Sequence, residues 1–324
     1  MTTVGIRQLM KKFEYQKYAS FIALIVLFVL SSFLSPFFLR PGNLVNILSQ
    51  VSYTGMIALG MAFVIITGGI DLSVGSLVAF DALLGVMFMN WMLAAVHNQV
   101  TAVLLGITAT ILVGGVTGLL NGITITRGRL APFIVTLGTM AIFRSLALFI
   151  GNAGEVQSQS SLYGSFGLTN ILFLPVPVWA MLFLALVLDI VLNRTRYGRY
   201  LCAVGSNTRV AVFSAINVDR VKMIAYTITG LLVGVSSVLL TSRFNAVSTS
   251  NTGMGYELDA IAAVIIGGTP MTGGRGTVWG TIIGAIILGI INNMLNMLGV
   301  SAYLQGTVKG LVIIGAVYIQ RQRS

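Results

Sequence analysis

Long apolar runs dominate this sequence and limit the folds that it can adopt more than any other feature. Hydrophobic residues make up 56% of the 324 residues and charged residues only 8%, whereas an ordinary soluble domain is about 25% charged. A helix needs about 20 apolar residues to cross the hydrocarbon core of a membrane. We therefore predict an all-α integral membrane protein of about ten transmembrane helices, at approximately 20–38, 48–66, 73–93, 100–121, 130–150, 175–192, 223–243, 257–272, 277–297 and 303–320.

Basic residues form clusters that alternate with these apolar runs. The clusters lie in the N-terminal segment, at Arg127 and Arg129, across residues 194–222, at Arg275, and at Arg321 and Arg323. Cytoplasmic loops are enriched in Lys and Arg, and an even number of predicted spans separates each pair of clusters. The sequence thus predicts a cytoplasmic segment (1–19), a single multi-pass transmembrane domain (20–320) and a cytoplasmic tail (321–324).

Reactive side chains are too scarce for most enzyme classes. The chain has one cysteine, Cys202, and one histidine, His97, which argues against a disulfide framework, a catalytic triad or a zinc site. Its net charge of +11 lies in loops between apolar spans, so it does not predict nucleic-acid binding. No GxxxxGK[ST] phosphate loop is present in the sequence. We therefore expect no enzyme activity, no metal and no cofactor bound by this chain, and an energy source outside it.

Five ionisable residues lie within or near predicted spans, where such groups are rare and usually functional. They are Asp71, Asp81, Arg144, Asp189 and Lys309. We expect structural roles, with Asp189 satisfied by Arg194, and with Arg144 and Lys309 either snorkelling to the membrane surface or pairing with Asp71 or Asp81. The alternative interpretation, that these groups relay coupling protons or sodium ions in a secondary transporter, stays open at this point.

Residues 193–222 form the longest polar stretch on the predicted cytoplasmic side, here called the basic loop. Gly198 and Gly205 are expected to break it, Asn207 to cap a helix, and residues 208–216 to form one short amphipathic helix. The stretch is either a solvated loop or a docking element for a cytoplasmic partner. The candidate coupling residues are Gly198, Arg199, Gly205, Asn207, Ala211, Phe213, Ser214 and Ile216.

Two glycine-rich segments, residues 65–76 and 265–277, interrupt apolar runs in a similar way. Such interruptions in the two halves of a transporter point to a binding site or a gate, because unwound backbone at depth must line a cavity or be buried in protein. A plain turn between helices at the cytoplasmic surface explains each segment equally well. The candidate gate residues are Gly68, Gly69, Asp71, Ser73, Gly267, Gly268 and Thr269.

Uncharged polar residues recur in the second and ninth spans. An uncharged polyol such as a sugar needs amide, hydroxyl and aromatic groups along its path, although hydrogen bonds between helices would use the same groups. The candidate path residues are Asn46, Gln50, Tyr53, Asn292, Asn293 and Asn296. At the predicted outer end of the eighth span, Glu257 and Asp259 suit a helix N-terminus. With Arg243 as a partner, they are candidates for docking a soluble binding protein.

Several of these segments carry a family resemblance. GGIDLSVGS (68–76), RTRYGRYLCAVGSN (194–207), SAINVDRVK (214–222), YELDAIAAVIIGGT (256–269) and NNMLNMLGVSAYLQGTVKG (292–310) resemble the permease subunits of ribose-type ABC importers, in order along nearly the whole chain. The resemblance implies a type II importer arrangement of ten helices in the bacterial inner membrane. It also implies that the basic loop holds a coupling helix that inserts into the ATPase.

The resemblance further implies partners. These are a second copy of the chain, a cytoplasmic ABC ATPase that uses ATP and Mg²⁺, a soluble sugar-binding protein, a monosaccharide and membrane lipid. An ion-coupled secondary transporter or a passive facilitator of small polar solutes is the alternative function. The sequence does not identify the sugar, which in this family includes ribose, xylose, arabinose and galactose.

Overall fold

The structure, a computed structural model, describes residues 20–321, so the predicted terminal segments 1–19 and 322–324 lie outside the described residues. Almost all regular structure in the described part is helical. The helices are α1 (Ser20–Leu34), α2 (Pro41–Ile66), α3 (Val74–Val96), α4 (Gln99–Arg127), α5 (Pro132–Ile150), α6 (Ser161–Leu168), α7 (Val176–Arg194), α8 (Arg196–Ser206), α9 (Thr208–Phe213), α10 (Val218–Phe244), α11 (Tyr256–Ile266), α12 (Val278–Met297) and α13 (Ala302–Arg321). The strands are β1 (Glu155–Gln157), β2 (Asn170–Ile171), β3 (Leu174–Pro175) and β4 (Ala246–Ser248).

The all-α membrane fold is confirmed, whereas the count of ten spans is not. Each predicted span overlaps one helix, and seven of the described helices are long and apolar enough to cross a membrane: α2, α3, α4, α5, α7, α10 and α12. The described part of α1 has 15 residues. The predicted span 257–272 extends too far, because α11 ends after 11 residues at Ile266. At 1.5 Å per residue α11 is about 17 Å long, well short of the hydrocarbon thickness of about 30 Å.

Helix α2 forms the centre of the fold. Pro41 occupies its first turn, where the missing N–H costs no hydrogen bond, and nearly every residue from Val51 to Ile66 is buried. Helices α7, α10, α11 and α12 pack around it. The outer helices α4, α5 and α7 instead expose large apolar side chains such as Leu112, Phe149 and Phe183. This distribution fits a protein whose outer surface contacts lipid.

Glycines bring α4 and α10 into backbone contact. A Cβ placed on Gly230 would lie 2.0 Å from the Gly114 carbonyl oxygen, and one placed on Gly118 would lie 2.3 Å from the Tyr226 carbonyl oxygen. Gly114, Gly118 and Gly122, spaced four residues apart, thus share the face of α4 that packs against α10.

The two sides of the helix layer differ in structure. Helices α8 and α9 follow α7 on one side, here called the basic side, and contact α2 and α10. On the opposite or far side, β1 and β4 form an antiparallel pair with Val156 opposite Val247. Helix α6 is fixed there by the Tyr163 hydroxyl, which donates to the Val238 carbonyl at 3.0 Å. Burial raises the pKa of Tyr163 to about 12, so this donor keeps its proton at physiological pH.

The segment between β4 and α11 turns inward from the far side. Arg144, six residues before the end of α5 and thus about 9 Å along that helix, donates to the carbonyls of Thr249 at 2.8 Å and Thr252 at 3.2 Å. Further along, Gly253 lies against the first turn of α3, where its Cβ would be 2.2 Å from the Gly75 carbonyl oxygen. Helix α11 therefore begins below the far surface, and not at it as the sequence analysis expected.

The glycine contact between α4 and α10 generates a first prediction. Replacing Gly230 with Ala forces the two backbones apart, and overpacking of this kind costs about 1–3 kcal/mol. We expect a lower midpoint of thermal unfolding in detergent micelles. Gly138→Ala on α5 is the matched control, because no atom lies within 4 Å of its Cβ position. Equal midpoints for the two variants would contradict the contact.

Candidate functional site

The two glycine-rich segments end their helices with the same turn. After α2, the Gly69 N–H donates to the Val64 carbonyl at 3.1 Å, and after α11 the Thr269 N–H donates to the Val264 carbonyl at 3.2 Å. The residue immediately before each donor is left-handed: Gly68 has φ of 80° and Gly268 has φ of 96°. This six-residue hydrogen-bonded turn is the Schellman motif, which favours glycine at the left-handed position. The sequence likeness between the two breaks therefore corresponds to a shared backbone geometry.

The two breaks also touch each other, together with the end of α8. The Gly274 N–H donates to the Ile66 carbonyl at 2.9 Å. A Cβ on Gly205 would lie 1.8 Å from that same carbonyl oxygen, and one on Gly273 would lie 2.8 Å from the Gly68 nitrogen. We call these five residues, Ile66, Gly68, Gly205, Gly273 and Gly274, the glycine junction. A Cβ on Gly205, Gly273 or Gly274 would lie 2.7 Å or less from another atom, so no side chain larger than hydrogen fits at these three positions.

The basic loop is more helical than the sequence predicted. Gly198 and Gly205 were expected to break it, yet both lie inside α8. Each is required by close approach: a Cβ on Gly198 would be 1.9 Å from the Leu192 carbonyl oxygen, and Gly205 belongs to the glycine junction. The break lies instead at Asn207. Its Oδ1 accepts from the N–H groups of Arg209 at 3.0 Å and Val210 at 3.1 Å, which confirms the predicted helix cap.

Helix α9 exposes only some of the candidate coupling residues. It ends at Phe213, not at Ile216, and Phe213 is 90% exposed, together with Val210 and Val212. Ala211, expected to face a partner, is only 2% exposed and packs inward. Ile216 is half-buried against the core. Arg199 and Ser214 are exposed. The exposed apolar patch of α9 therefore consists of Val210, Val212 and Phe213.

The residues after the first break are fixed by a buried hydrogen-bond network. Asp71 accepts from the Ser73 hydroxyl at 2.6 Å and from the Ser73 N–H at 2.9 Å. Asn121 of α4 in turn donates to the Ser73 hydroxyl at 2.9 Å, and Tyr226 of α10 donates to the Ile70 carbonyl at 3.2 Å. This part of the predicted gate is thus embedded between helices and packed tightly.

The second break packs just as closely. A Cβ on Gly267 would lie 2.4 Å from the Gly280 carbonyl oxygen of α12. Thr269 is fully buried, and its hydroxyl accepts from the Thr277 N–H at 3.4 Å. Gly69 is equally confined, with its Cβ position 2.8 Å from the Tyr226 hydroxyl. Five of the seven candidate gate residues are therefore buried next to the glycine junction, whereas Gly68 and Gly268, at the left-handed positions of the two turns, are exposed.

The candidate path residues of α2 gather near the far side with Arg243 of α10. Arg243 donates to Asn46 Oδ1 at 3.0 Å, and the Gln50 amide donates to the same oxygen at 3.4 Å. The Tyr53 hydroxyl is buried one helical turn further along α2. We call these four residues, Asn46, Gln50, Tyr53 and Arg243, the far-side polar cluster. Arg243 was expected to pair with Glu257 or Asp259, and its partner is Asn46 instead.

The three asparagines of α12 have different environments. Asn293 is buried and exchanges two hydrogen bonds with Asn43 of α2, at 2.7 and 3.2 Å. Asn296 is exposed and accepts from Gln305 at 2.8 Å. The Asn292 carbonyl oxygen is buried without a partner among the described residues. Asn293 therefore joins two helices, whereas Asn296 lies on an accessible face.

The membrane-embedded ionisable residues form different pairs from those expected. Lys309 of α13 pairs with Asp259 of α11 at 3.0 Å, the one salt bridge within residues 20–321, so its expected pairing with Asp71 or Asp81 is wrong. Arg144 binds backbone carbonyls, as described above. Asp189 accepts from Asn193 at 2.8 Å, not from Arg194. Asp81 is fully buried in α3, and its carboxyl has no hydrogen-bond partner in the described part of the chain.

The predicted docking residues lie largely inside the protein. Asp259 is buried in its ion pair with Lys309. Glu257 is half-buried, and its Oε2 lies 2.1 Å from the Cβ position of Gly75. Their docking role stays a prediction. The ion pair itself was missed by the sequence analysis, although one signal was present: a single lysine in an otherwise apolar terminal span requires an acidic partner.

A family model described as "Branched-chain amino acid transport system / permease component" matches residues 43–317. The matched region contains both breaks, the basic loop and the far-side polar cluster. The chain belongs to this family. It is therefore a multi-pass membrane transport permease, and the predicted resemblance to a permease is confirmed.

Individual relatives of this permease cover nearly its whole length. The ribose import permease protein RbsC of Bacillus subtilis is 43% identical over 311 residues, 95% of this chain and 94% of that protein. The D-allose transport system permease protein AlsC of Escherichia coli is 39% identical over 308 residues, 95% and 92% of the two chains. The L-arabinose transport system permease protein AraH of Escherichia coli is 31% identical over 309 residues. No solved structure matches the chain.

The partly buried ion pair of Asp259 and Lys309 generates a second prediction. Removing one partner leaves an unpaired charge, which costs about 3–5 kcal/mol in a fully buried pair and less here, where the Lys309 side chain is 27% exposed. We expect Asp259→Asn alone and Lys309→Gln alone to lower the thermal midpoint and the yield of folded protein. The double variant Asp259→Asn/Lys309→Gln restores both, because no unpaired charge is left. If the decreases in thermal midpoint of the two single variants simply added in the double variant, the two side chains would not be coupled.

Proposed function

We propose that this permease is the transmembrane subunit of an ABC importer that carries a monosaccharide. It works as a pair of identical subunits with a separate cytoplasmic ATPase, which uses ATP and Mg²⁺, and a soluble binding protein delivers the sugar at the far side. The names of the relatives support this proposal, since they describe ribose, D-allose and L-arabinose transport. The uncharged polar groups of the far-side polar cluster suit an uncharged polyol.

The observation that carries the proposal is the position of α9 next to the glycine junction. Asn207 both ends α8 and caps α9, and Gly205, two residues earlier, touches the Ile66 carbonyl at the end of α2. A protein that needs no cytoplasmic partner gains nothing from an exposed Phe213 on a well-capped helix. An ATPase groove would cover this apolar patch.

The glycine junction gives a physical route for coupling. Its backbone contacts leave no room for α8 to move independently of α2 and of the turn that follows α11. A displacement of α9 by the closing ATPase is therefore transmitted to both helix breaks through packed atoms. The Schellman turns at Gly68 and Gly268 are the positions at which α2 and α11 can change direction.

The ion-coupled alternative finds less support. Within residues 20–321, Asp71 is satisfied by Ser73, Asp259 by Lys309, and Arg144 by backbone carbonyls. A relay requires neighbouring groups that exchange protons or ions, and these groups each have separate local partners. Asp81, buried between α3 and α4, has no ionisable group bonded to it.

The coupling role of α9 generates a third prediction. Phe213→Asp places a charge in the proposed contact, and loss of a central aromatic anchor typically costs 2 kcal/mol or more. We expect at least about tenfold less ATPase to co-purify, with normal membrane insertion of the permease. The matched control is Phe173→Asp, because Phe173 is 94% exposed on the opposite side of the helix layer. ATPase recovery that is equal for both variants would exclude α9 as the docking element.

The proposed orientation generates a fourth prediction. With the basic side in the cytoplasm, both termini lie there as well. A reporter that is active only in the cytoplasm should therefore work when fused after Ser324, and should fail when inserted in the far-side segment between α5 and α6. Reporter activity solely at the far-side position would show that the orientation is the reverse of the one proposed. A cytoplasmic ATPase could then not contact α9.

A further inference from the structure

Arg243 is a basic side chain near a membrane surface without an acidic partner. It lies in the last turn of α10, is half-buried, and makes one hydrogen bond, to Asn46 Oδ1 at 3.0 Å. In the described part of the chain no carboxylate forms a salt bridge with it. A guanidinium has five N–H donors in a rigid fork. Most of the donors of Arg243 are thus left for another molecule.

Three residues of α2 surround this guanidinium on one face of the helix. Asn46, Gln50 and Tyr53 follow each other at intervals of four and three residues, so their side chains point in one direction. Gln50 is exposed and Asn46 half-exposed. The Tyr53 hydroxyl is buried and interacts with the neighbouring Arg243 guanidinium. The accessible part of the cluster is therefore formed by Gln50, Asn46 and Arg243.

The exposure of this cluster also has a physical implication. Amide and guanidinium groups are not stable against lipid chains, so an accessible polar face within a spanning helix borders a water-filled space or a partner. Asn43 and Asn293, by contrast, satisfy each other completely between α2 and α12. The far-side polar cluster has the composition of a binding site, with free donors, acceptors and one aromatic ring.

We propose that the far-side polar cluster binds the hydroxyl groups of a neutral monosaccharide as it enters the permease. The Arg243 fork donates to two adjacent sugar oxygens, and the Asn46 and Gln50 amides accept and donate. Tyr53 is buried next to Arg243 and positions the guanidinium. The site holds sugar weakly, because each of these bonds replaces a bond to water. This inference rests on the proposed importer function and deepens it, since it assigns a sugar site to the permease itself.

The test uses the importer reconstituted in liposomes with its ATPase and binding protein, and D-ribose as the probe. Arg243→Gln removes the fork. Asn46→Asp supplies a carboxylate that pairs with Arg243 and occupies its donors. We expect each variant to lower D-ribose uptake about tenfold, the effect of losing a hydrogen bond to a charged group. ATP hydrolysis stimulated by the binding protein stays within about twofold of the unmodified level.

Controls separate a sugar site from a structural role. Arg40→Gln is matched, because Arg40 lies near the same surface but stacks on Phe37, outside the cluster; its uptake should be unchanged. Asn46→Asp should preserve or raise the thermal midpoint, since it adds an ion pair, while uptake falls. If Asn46 had only a structural role, the stabilising substitution Asn46→Asp would leave D-ribose uptake unchanged. Arg243→Lys keeps the charge and loses the fork, and should retain intermediate uptake.

A second measurement does not depend on the ATPase. Gln50→Cys in a Cys202→Ser background is labelled with a membrane-impermeant thiol reagent, in the purified permease. We expect D-ribose at high concentration to slow labelling severalfold, and Arg243→Gln to abolish this protection. Protection without ATPase binding would support the site even if the importer proposal failed.

Two results would overturn the inference. One is D-ribose uptake within about twofold of normal in both Arg243→Gln and Asn46→Asp. The other is loss of binding-protein-stimulated ATP hydrolysis together with uptake, which would assign Arg243 to the contact with the binding protein. If Arg243→Gln did not fold, Asn46→Asp and the labelling of Gln50→Cys would decide between these outcomes.

Discussion

The fold depends on one constraint: in an apolar solvent, backbone N–H and C=O groups must find partners inside the protein. Helices α2 and α11 both end against other parts of the chain, and each closes with a Schellman turn at a left-handed glycine. The free carbonyl of Ile66 is satisfied by Gly274. Where the segment after β4 enters the helix layer, Arg144 satisfies its carbonyls. At both breaks the backbone groups that end each helix are therefore satisfied by other parts of the chain, although the turn residues Gly68 and Gly268 are themselves exposed.

The same constraint connects structure to transport. At the glycine junction there is no space for a side chain on Gly205, Gly273 or Gly274, so the end of α8, the end of α2 and the segment after α11 are in direct contact. Only Ser206 and Asn207 separate Gly205 from α9, so the proposed coupling would need no long-range signal. Small residues thus permit close packing both between α4 and α10 and at the glycine junction.

Polar residues divide into two groups according to their partners. Asp71 and Asn293 are buried and satisfied within the protein, because Asp71 accepts from Ser73 at the start of α3 and Asn293 of α12 exchanges hydrogen bonds with Asn43 of α2. Asn46 and Gln50 keep exposed or half-exposed amides beside Arg243. The sequence analysis named Asn46, Gln50 and Asn293 alike as path candidates. Burial separates those that hold the helices from those that remain free for a solute.

Sequence alone determined the membrane class, the approximate position of each long apolar helix, the two glycine breaks and the Asn207 cap, because each depends on local composition or on residues a few positions apart. It could not determine that α11 ends at Ile266, that Ala211 faces inward, or that Lys309 pairs with Asp259. Those outcomes depend on the depth and rotation of each helix against neighbours distant in the chain. Helical periodicity leaves both quantities undefined, and only tertiary packing sets them.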